Sequence, residues 1–383
     1  MFLNIKSEVL QQLGAFNTAK EICQQPKTIL KVLRQIQDDK ANIHNFTRDF
    51  LKKPNARIIL TGAGTSAFVG NSIVNYLKNE TNARIESIAT TDLVSSPLTY
   101  FERNTPTLLI SFARSGNSPE SVESTRIADE LVDDCYHLVI TCNKQGQLYK
   151  ETLNNDNAYV ILNPEETNDL GFAMTSSFTS MLMATLLAFD FDNKIEAQVP
   201  NITNVMQSVI TDSSLPIKQL ADKKYSRIIY LGSGDLKSLG EECSLKLLEL
   251  TSGAVSIMFD SPLGFRHGPK SFINEDTLVV VMVSNDLHTQ KYDIDLINEV
   301  RKDNIAKDVV TISSEKVNLS GELDFKLIDA DNLNDTELLL PFIAWAQIFS
   351  VYSSLAHGVL TDTPCTSGAV NRVVQGVILH DLN

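Results

Sequence analysis

Apolar residues along the chain fall into two alternating patterns. Short continuous runs such as RIIL at 57–60, LLIS at 108–111 and LVIT at 138–141 have the length and β-branched content of buried strands. Between them apolar residues recur at helical spacing, as from Ile29 to Phe46 and over 175–189, 201–220 and 336–357, the last holding the only tryptophan, Trp345. Further strands are expected at 84–89, 107–111, 137–141 and 158–163. Residues 1–56 read as a polar helical arm. Strand alternating with helix is the signature of an α/β protein with a parallel sheet.

The pattern then restarts. RIIYLGSGDLKSLG at 227–240 matches RIILTGAGTSAFVG at 57–70, an offset of 170. At that offset Leu108, Leu109 and Ile110 fall on Leu278, Val279 and Val280, and Leu138 falls on Asp308. One α/β unit is duplicated. This predicts an arm over 1–56, a first unit over 57–200, and a second over 201–383 that includes a C-terminal tail.

The first copy carries two polar turns where strands run into helices. One is GAGTS, with Gly64, Thr65 and Ser66. The other is ARSGNSPE, with Arg114, Ser115, Gly116, Asn117 and Ser118 ahead of Pro119 and Glu120. Glycines permit close backbone approach, and free amides at a helix start attract anions. In an open α/β sheet, ligands bind beyond the carboxyl ends of the strands, so these turns are candidate phosphate sites. An ordinary helix cap uses the same residue types. The GxGxS spacing departs from the dinucleotide fingerprint, and no acid closes the next strand, which argues against a nicotinamide cofactor.

The second copy differs. Glu242, Lys246 and Glu249 share one stripe of a helix, beside an apolar stripe of Leu236, Leu239, Cys243, Leu247 and Leu250. Lys237, Glu241 and Ser244 lie on another side, expected to face solvent. A strand at 254–259 and the loop SPLGFRHGPK follow, with His267 between an arginine and a Gly-Pro. An acid, an ammonium and a loop histidine make a proton-transfer set. A surface-tuned helix and an idle loop histidine would give the same spacing. The tail, TDTPCTSGAVNRVVQGVILH, carries Arg372 and reads equally as a pocket cover or as an ordered terminus.

Length and charge narrow the classes. At 383 residues the chain exceeds one ordinary core. Its net charge of −14 argues against unassisted binding to nucleic acid or an anionic membrane, so a phosphate site must be made by local amides and hydroxyls. Cys23, Cys135, Cys142, Cys243 and Cys365 are scattered, with no CxxC and no Cys/His cluster, which suits reduced thiols in the cytoplasm and no structural metal. The N-terminus has no apolar signal core, and no apolar run reaches transmembrane length.

Taken together, KEICQQP, GAGTS, SFARSGNSPES and above all LGFRHGPKSF resemble the sugar isomerase (SIS) domain family. The resemblance spans nearly the whole chain and favours the branch of amino-sugar-phosphate deaminases and ketose/aldose isomerases. It implies two tandem flavodoxin-like units of parallel sheet flanked by helices, commonly assembled as dimers or larger homo-oligomers. It implies a small sugar-phosphate substrate and no metal or organic cofactor. Ser66, Ser115 and Ser118, with nearby amides, would hold the phosphate. Glu249 would move a proton between C1 and C2 with Lys246 beside it. His267 would open the ring, reaching into the site of another subunit. Arg372 falls where relatives with a glutaminase half carry a tail lysine, and Arg114 where they carry a glutamine. The reaction expected is galactosamine 6-phosphate plus water to tagatose 6-phosphate plus ammonia. Alternatives are plain hexose-6-phosphate isomerisation, deamination of the gluco epimer, and a non-enzymatic sugar-phosphate sensor.

Overall fold

The computed structural model describes every residue except positions 320, 322, 375 and 383. Among the described residues ten strands form two sheets. The first contains β1 (Arg57–Thr61), β2 (Arg84–Ser87), β3 (Thr107–Ala113), β4 (Cys135–Thr141) and β5 (Ala158–Leu162), in the order β2-β1-β3-β4-β5. The second contains β6 (Arg227–Leu231), β7 (Ser256–Asp260), β8 (Thr277–Met282), β9 (Asp308–Ser314) and β10 (Asp324–Leu327), in the order β7-β6-β8-β9-β10. Every strand pairing within the sheets is parallel. Each sheet is the doubly wound flavodoxin-like order, with its switch point between the first and third strands of the copy.

The described chain divides into two compact units. The β1–β5 unit takes residues 27–169, 176–197 and 367–383; the β6–β10 unit takes 1–26, 170–175 and 198–366. The repeat boundaries read from sequence mark the duplication, whereas the compact units are cut differently. In the β1–β5 unit, β1 and β3 are buried along their whole length, as sheets covered on both faces require. The same holds for β8 in the β6–β10 unit, where Ile229, Leu231, Val279 and Val281 pack with Leu296, Ile297 and Val300 of the Thr289–Asp303 helix.

The duplication is visible in backbone detail. Arg57 pairs with Thr107 and Arg227 with Thr277, both partners shifted by 170. The Thr65–Glu80 and Asp235–Leu250 helices start and end at the same offset. The turns before them match in conformation, with Gly64 at φ 55°, ψ −129° and Gly234 at φ 57°, ψ −124°. Side chains rarely adopt that region, which explains the repeated glycine. Elsewhere the offset slips. Arg57 pairs with Arg84 but Arg227 with Ser256, and Leu108 pairs with Tyr136 but Leu278 with Asp308, so β2/β7 and β4/β9 correspond at 172. Asp308 therefore answers Tyr136, not Leu138. A slip of two keeps each side chain on its face of the sheet.

The helix expected over 201–220 is two helices, Lys194–Asp212 and Ser214–Ala221. A continuous helix would drive the ring of Pro216 into the carbonyl of Asp212; near the start of a new helix the missing amide costs nothing. The Asp335–Ala356 helix is apolar and long enough to cross a membrane by length and composition, but it is a core helix, 94% buried over its most apolar window. It starts with a capping box between Asn334 and Glu337 and packs along the Asp235–Leu250 helix.

Candidate functional site

Two groups of side chains carry the candidate chemistry, one in each unit. In the β1–β5 unit they gather at the switch point. Thr61 and Ser111 end β1 and β3 in register. Their hydroxyls are buried and make no hydrogen bond to any described residue. An unpaired buried hydroxyl costs about 1–3 kcal/mol, so an acceptor arriving here would relieve a standing penalty. In the second copy the same two positions are Leu231 and Val281.

The turns that follow these strands are built for close approach. A Cβ on Gly62 would lie 2.5 Å from the carbonyl carbon of Ser66, so the chain can fold back only through glycine. Thr65 and Ser66, both buried, then open the Thr65–Glu80 helix. After β3, Arg114 is buried, Gly116 turns at φ 64°, and Ser118 leads into Pro119 at the start of the Pro119–Leu131 helix. The segment after β4 pins this turn. Asn143 Nδ2 donates to the Ser115 carbonyl at 2.8 Å, the Leu148 amide to the Gly116 carbonyl at 3.0 Å, and the Gln147 amide to Asn117 Oδ1 at 3.0 Å. A Cβ on Gly146 would meet the Ser115 oxygen at 2.5 Å. Sequence reading found Gly64, Thr65, Ser66 and the 114–118 turn but missed this support. Its signal was present in the polar NKQGQ stretch directly after a buried strand.

The tail belongs to the same unit. Arg114 Nη2 donates to the carbonyl of Arg372 at 2.7 Å, and Arg372 Nε donates to the carbonyl of Asp169 at 3.0 Å. Asp169 is itself buried and accepts from the Ser177 amide and hydroxyl at 2.9 and 2.6 Å. Arg114, read from sequence as a candidate phosphate ligand, and Arg372, read as a candidate catalytic group, thus tie the tail to the 114–118 turn.

In the β6–β10 unit the candidate acid–base residues lie on the Asp235–Leu250 helix. Its apolar stripe is fully buried, as expected, and Lys237 is exposed. Glu242 and Lys246 are more deeply placed than the spacing implied, with side chains 0% exposed. Lys246 Nζ stands 2.5 Å from Glu249 Oε2 and 3.5 Å from Glu242 Oε1. Glu249 keeps 26% of its side chain exposed. One ammonium therefore bridges two carboxylates, of which only Glu249 reaches the surface. Such a group can take and return a proton while its charge is balanced from behind.

His267 lies on an exposed loop between the Pro262–Phe265 turn of helix and a turn over Pro269–Phe272. Its neighbours fix the loop: Arg266 Nε bonds Glu299 at 2.8 Å, and Lys270 pairs with Glu299 and, at 2.5 Å, with Asp303. Among the described residues no hydrogen bond or ion pair joins His267 to Lys246 or Glu249.

One cluster offers mixed metal-ligand atoms. Asp129, Cys135 and His137 bring an oxygen, a sulfur and a nitrogen within 4.8 Å. His137 Nε2 already bonds Asp129 Oδ1 at 2.7 Å, and burial pushes the Cys135 thiol well up, so the cluster is explained as a hydrogen-bonded one.

Known proteins resemble this chain over nearly its whole length. The SIS domain family model matches residues 50–190. A curated relative from Shewanella sp. (strain ANA-3), called D-galactosamine-6-phosphate deaminase AgaS, is 45% identical over 381 residues, covering 99% of this chain and 95% of its own. One of the same name from Escherichia coli is 44% identical over 367 residues, covering 95% of each. The crystal structure of an Escherichia coli protein called tagatose-6-phosphate ketose/aldose isomerase superposes with a TM-score of 0.86 at 39% identity, over 96% of this chain and 97% of its own.

Proposed function

Since the chain belongs to the SIS-domain family in its AgaS branch, and is an enzyme, we propose that it converts galactosamine 6-phosphate and water to tagatose 6-phosphate and ammonia. The observation that carries the mechanism is the Lys246–Glu249 pair: a partly exposed carboxylate held against a buried ammonium.

Under this proposal the substrate phosphate is bound by the amides and hydroxyls of Gly64–Ser66 and Ser115–Ser118, with Thr61 and Ser111 beneath. His267 assists opening of the sugar ring. Glu249 removes the proton from C2 of the open-chain aldehyde and returns it to C1, leaving a C2 ketimine. Water adds to the ketimine and ammonia departs, giving the 2-ketose. A positioned base of this kind contributes on the order of 10²–10⁴-fold in rate. Assembly as a homodimer or larger homo-oligomer, and a place in the cytoplasm, belong to the same proposal; light scattering of the purified chain checks the first.

The test is ammonium release from galactosamine 6-phosphate and glucosamine 6-phosphate in parallel, with no glutamine. Release from the galacto epimer alone supports the proposal, and release from the gluco epimer alone overturns its substrate. A second reading, aldose–ketose isomerisation of a hexose 6-phosphate, is favoured by the name of the 39% identical structure. It predicts no ammonium and interconversion of a neutral hexose 6-phosphate.

A further inference from the structure

The second switch point repeats the backbone of the first but not its chemistry. The Gly232–Gly234 turn and the start of the Asp235–Leu250 helix match the first copy at the glycine conformation and at the close approach, where a Cβ on Gly232 would lie 2.7 Å from Leu236 Cβ. Hydroxyl and amide donors converge here too, from Ser233 after β6 and from Ser284 and Asn285 after β8. In this copy they are taken by side chains of the chain itself. Asp293, 0% exposed, accepts from Ser233 Oγ at 2.7 Å and from the Ser284 amide at 3.0 Å. Asp335 accepts from Ser284 Oγ at 2.5 Å and from the Asn285 amide at 2.8 Å. Among the described residues neither carboxylate has a lysine, arginine or histidine partner. Each is held by neutral donors alone, the set with which a backbone cradle holds a phosphate.

We propose that Asp293 and Asp335 are resident occupants of a second anion cradle, so that each chain offers strand-end donors to one external phosphate, at β1 and β3. Three features of the sequence agree. The paired hydroxyls Thr61 and Ser111 of the first copy are replaced by Leu231 and Val281. The short polar turn ARSGNS is replaced by VSNDLH, which delivers Ser284 to both acids. Asp235 at the helix start, bonded by Thr336 Oγ1 at 3.0 Å, adds a further negative charge that would repel an incoming anion. The count of one phosphate rests on the proposed function of the first cradle; the occupancy of the second does not.

Chemical rescue tests this on the full chain. Asp293→Ala and Asp335→Ala each leave two donors with no acceptor, which a small carboxylate can replace. At pH 8 and constant ionic strength, the thermal midpoint of each variant should start below that of the wild type and rise by a few degrees with sodium formate replacing sodium chloride. The wild type should respond equally to both salts. Equilibrium dialysis with inorganic phosphate should count one site per wild-type chain and two for the doubly substituted chain. Folded variants that ignore formate, or a doubly substituted chain that gains no phosphate, overturn the proposal. Should the alanine variants not fold, the wild type still decides: a second phosphate bound by the unaltered chain overturns it. A wild type that binds no phosphate, with variants that formate rescues, would sink the first cradle and leave the second standing.

Discussion

Lys246 Nζ lies 2.5 Å from Glu249 Oε2, yet the lysine is fully buried and the glutamate is not. The pair divides its work accordingly. Glu249→Gln should lower turnover by about 10²–10⁴-fold while leaving sugar-phosphate binding within a few-fold of the wild type. Steady-state ammonium release and binding calorimetry check the two halves; a large loss of binding would assign Glu249 to ground-state recognition.

Removal of the lysine is a different experiment. Lys246→Ala leaves Glu242, 0% exposed, without the ammonium 3.5 Å away. Breaking a buried pair by deleting one partner typically costs about 3–5 kcal/mol. Denaturant unfolding should show that loss for Lys246→Ala and a much smaller one for Glu249→Gln, whose carboxylate can be hydrated.

His267→Ala should slow a cyclic substrate more than an open-chain analogue with the ring step already done. Its exposure and the anchoring of its loop by Arg266 and Lys270 argue that the substitution leaves the fold intact. Equal losses on both substrates would remove it from ring opening.

Gly146→Ala tests the support of the 114–118 turn. The new Cβ would come 2.5 Å from the Ser115 backbone oxygen, and neither partner is a flexible side-chain end. The turn must shift, and a displacement of that order costs on the order of 10- to 100-fold in kcat/KM. The loss should fall mainly on KM, while melting stays near the wild-type midpoint.

Burial carries the Asp293 carboxyl from 3.8 up to about 6, with nearby Asp335 adding to the rise and the Ser233 and Ser284 bonds opposing it. The folded chain therefore holds this proton more tightly than the unfolded chain. The contribution to stability is fully present below about pH 3.8 and is lost as the pH rises through about 6. Asp293→Asn keeps an acceptor for the Ser284 amide and removes the titration. Relative to the variant, the wild type should lose on the order of 2–3 kcal/mol between pH 4 and pH 7. Unfolding curves of both proteins across that range give the difference directly.

The repeat was legible because its markers stand at backbone positions that permit few residue types. Gly64 and Gly234 sit where a side chain is strained, and the buried strands leave few residue types to choose from. The slip from 170 to 172 was hidden because it preserves face: before β7 it falls in a loop, and before β9 in a helix, Thr289–Asp303, two residues longer than its counterpart Pro119–Leu131. Depth was harder to read. Periodicity placed Glu242 and Lys246 beside the core, but not their full burial, and the Asp335–Ala356 helix that packs along theirs comes far along the chain. Nothing local to Asp293 or Asp335 signals that both approach Ser284, since that meeting is made by the sheet. The break before Ser214 was available in Pro216 and was masked by continuous helical periodicity on both sides.

The division of the chain also constrains its biosynthesis. The strands β1–β5 are made first, yet their compact unit includes residues 367–383, which follow all ten strands. The other unit draws in residues 1–26, made before any strand. On the ribosome neither unit can close on its own stretch of nascent chain. The β1–β5 unit is complete, with Arg114 on its tail acceptor, only once synthesis has passed Arg372. A chain cut short before Ser367 would therefore leave the earlier-made β1–β5 unit without part of itself.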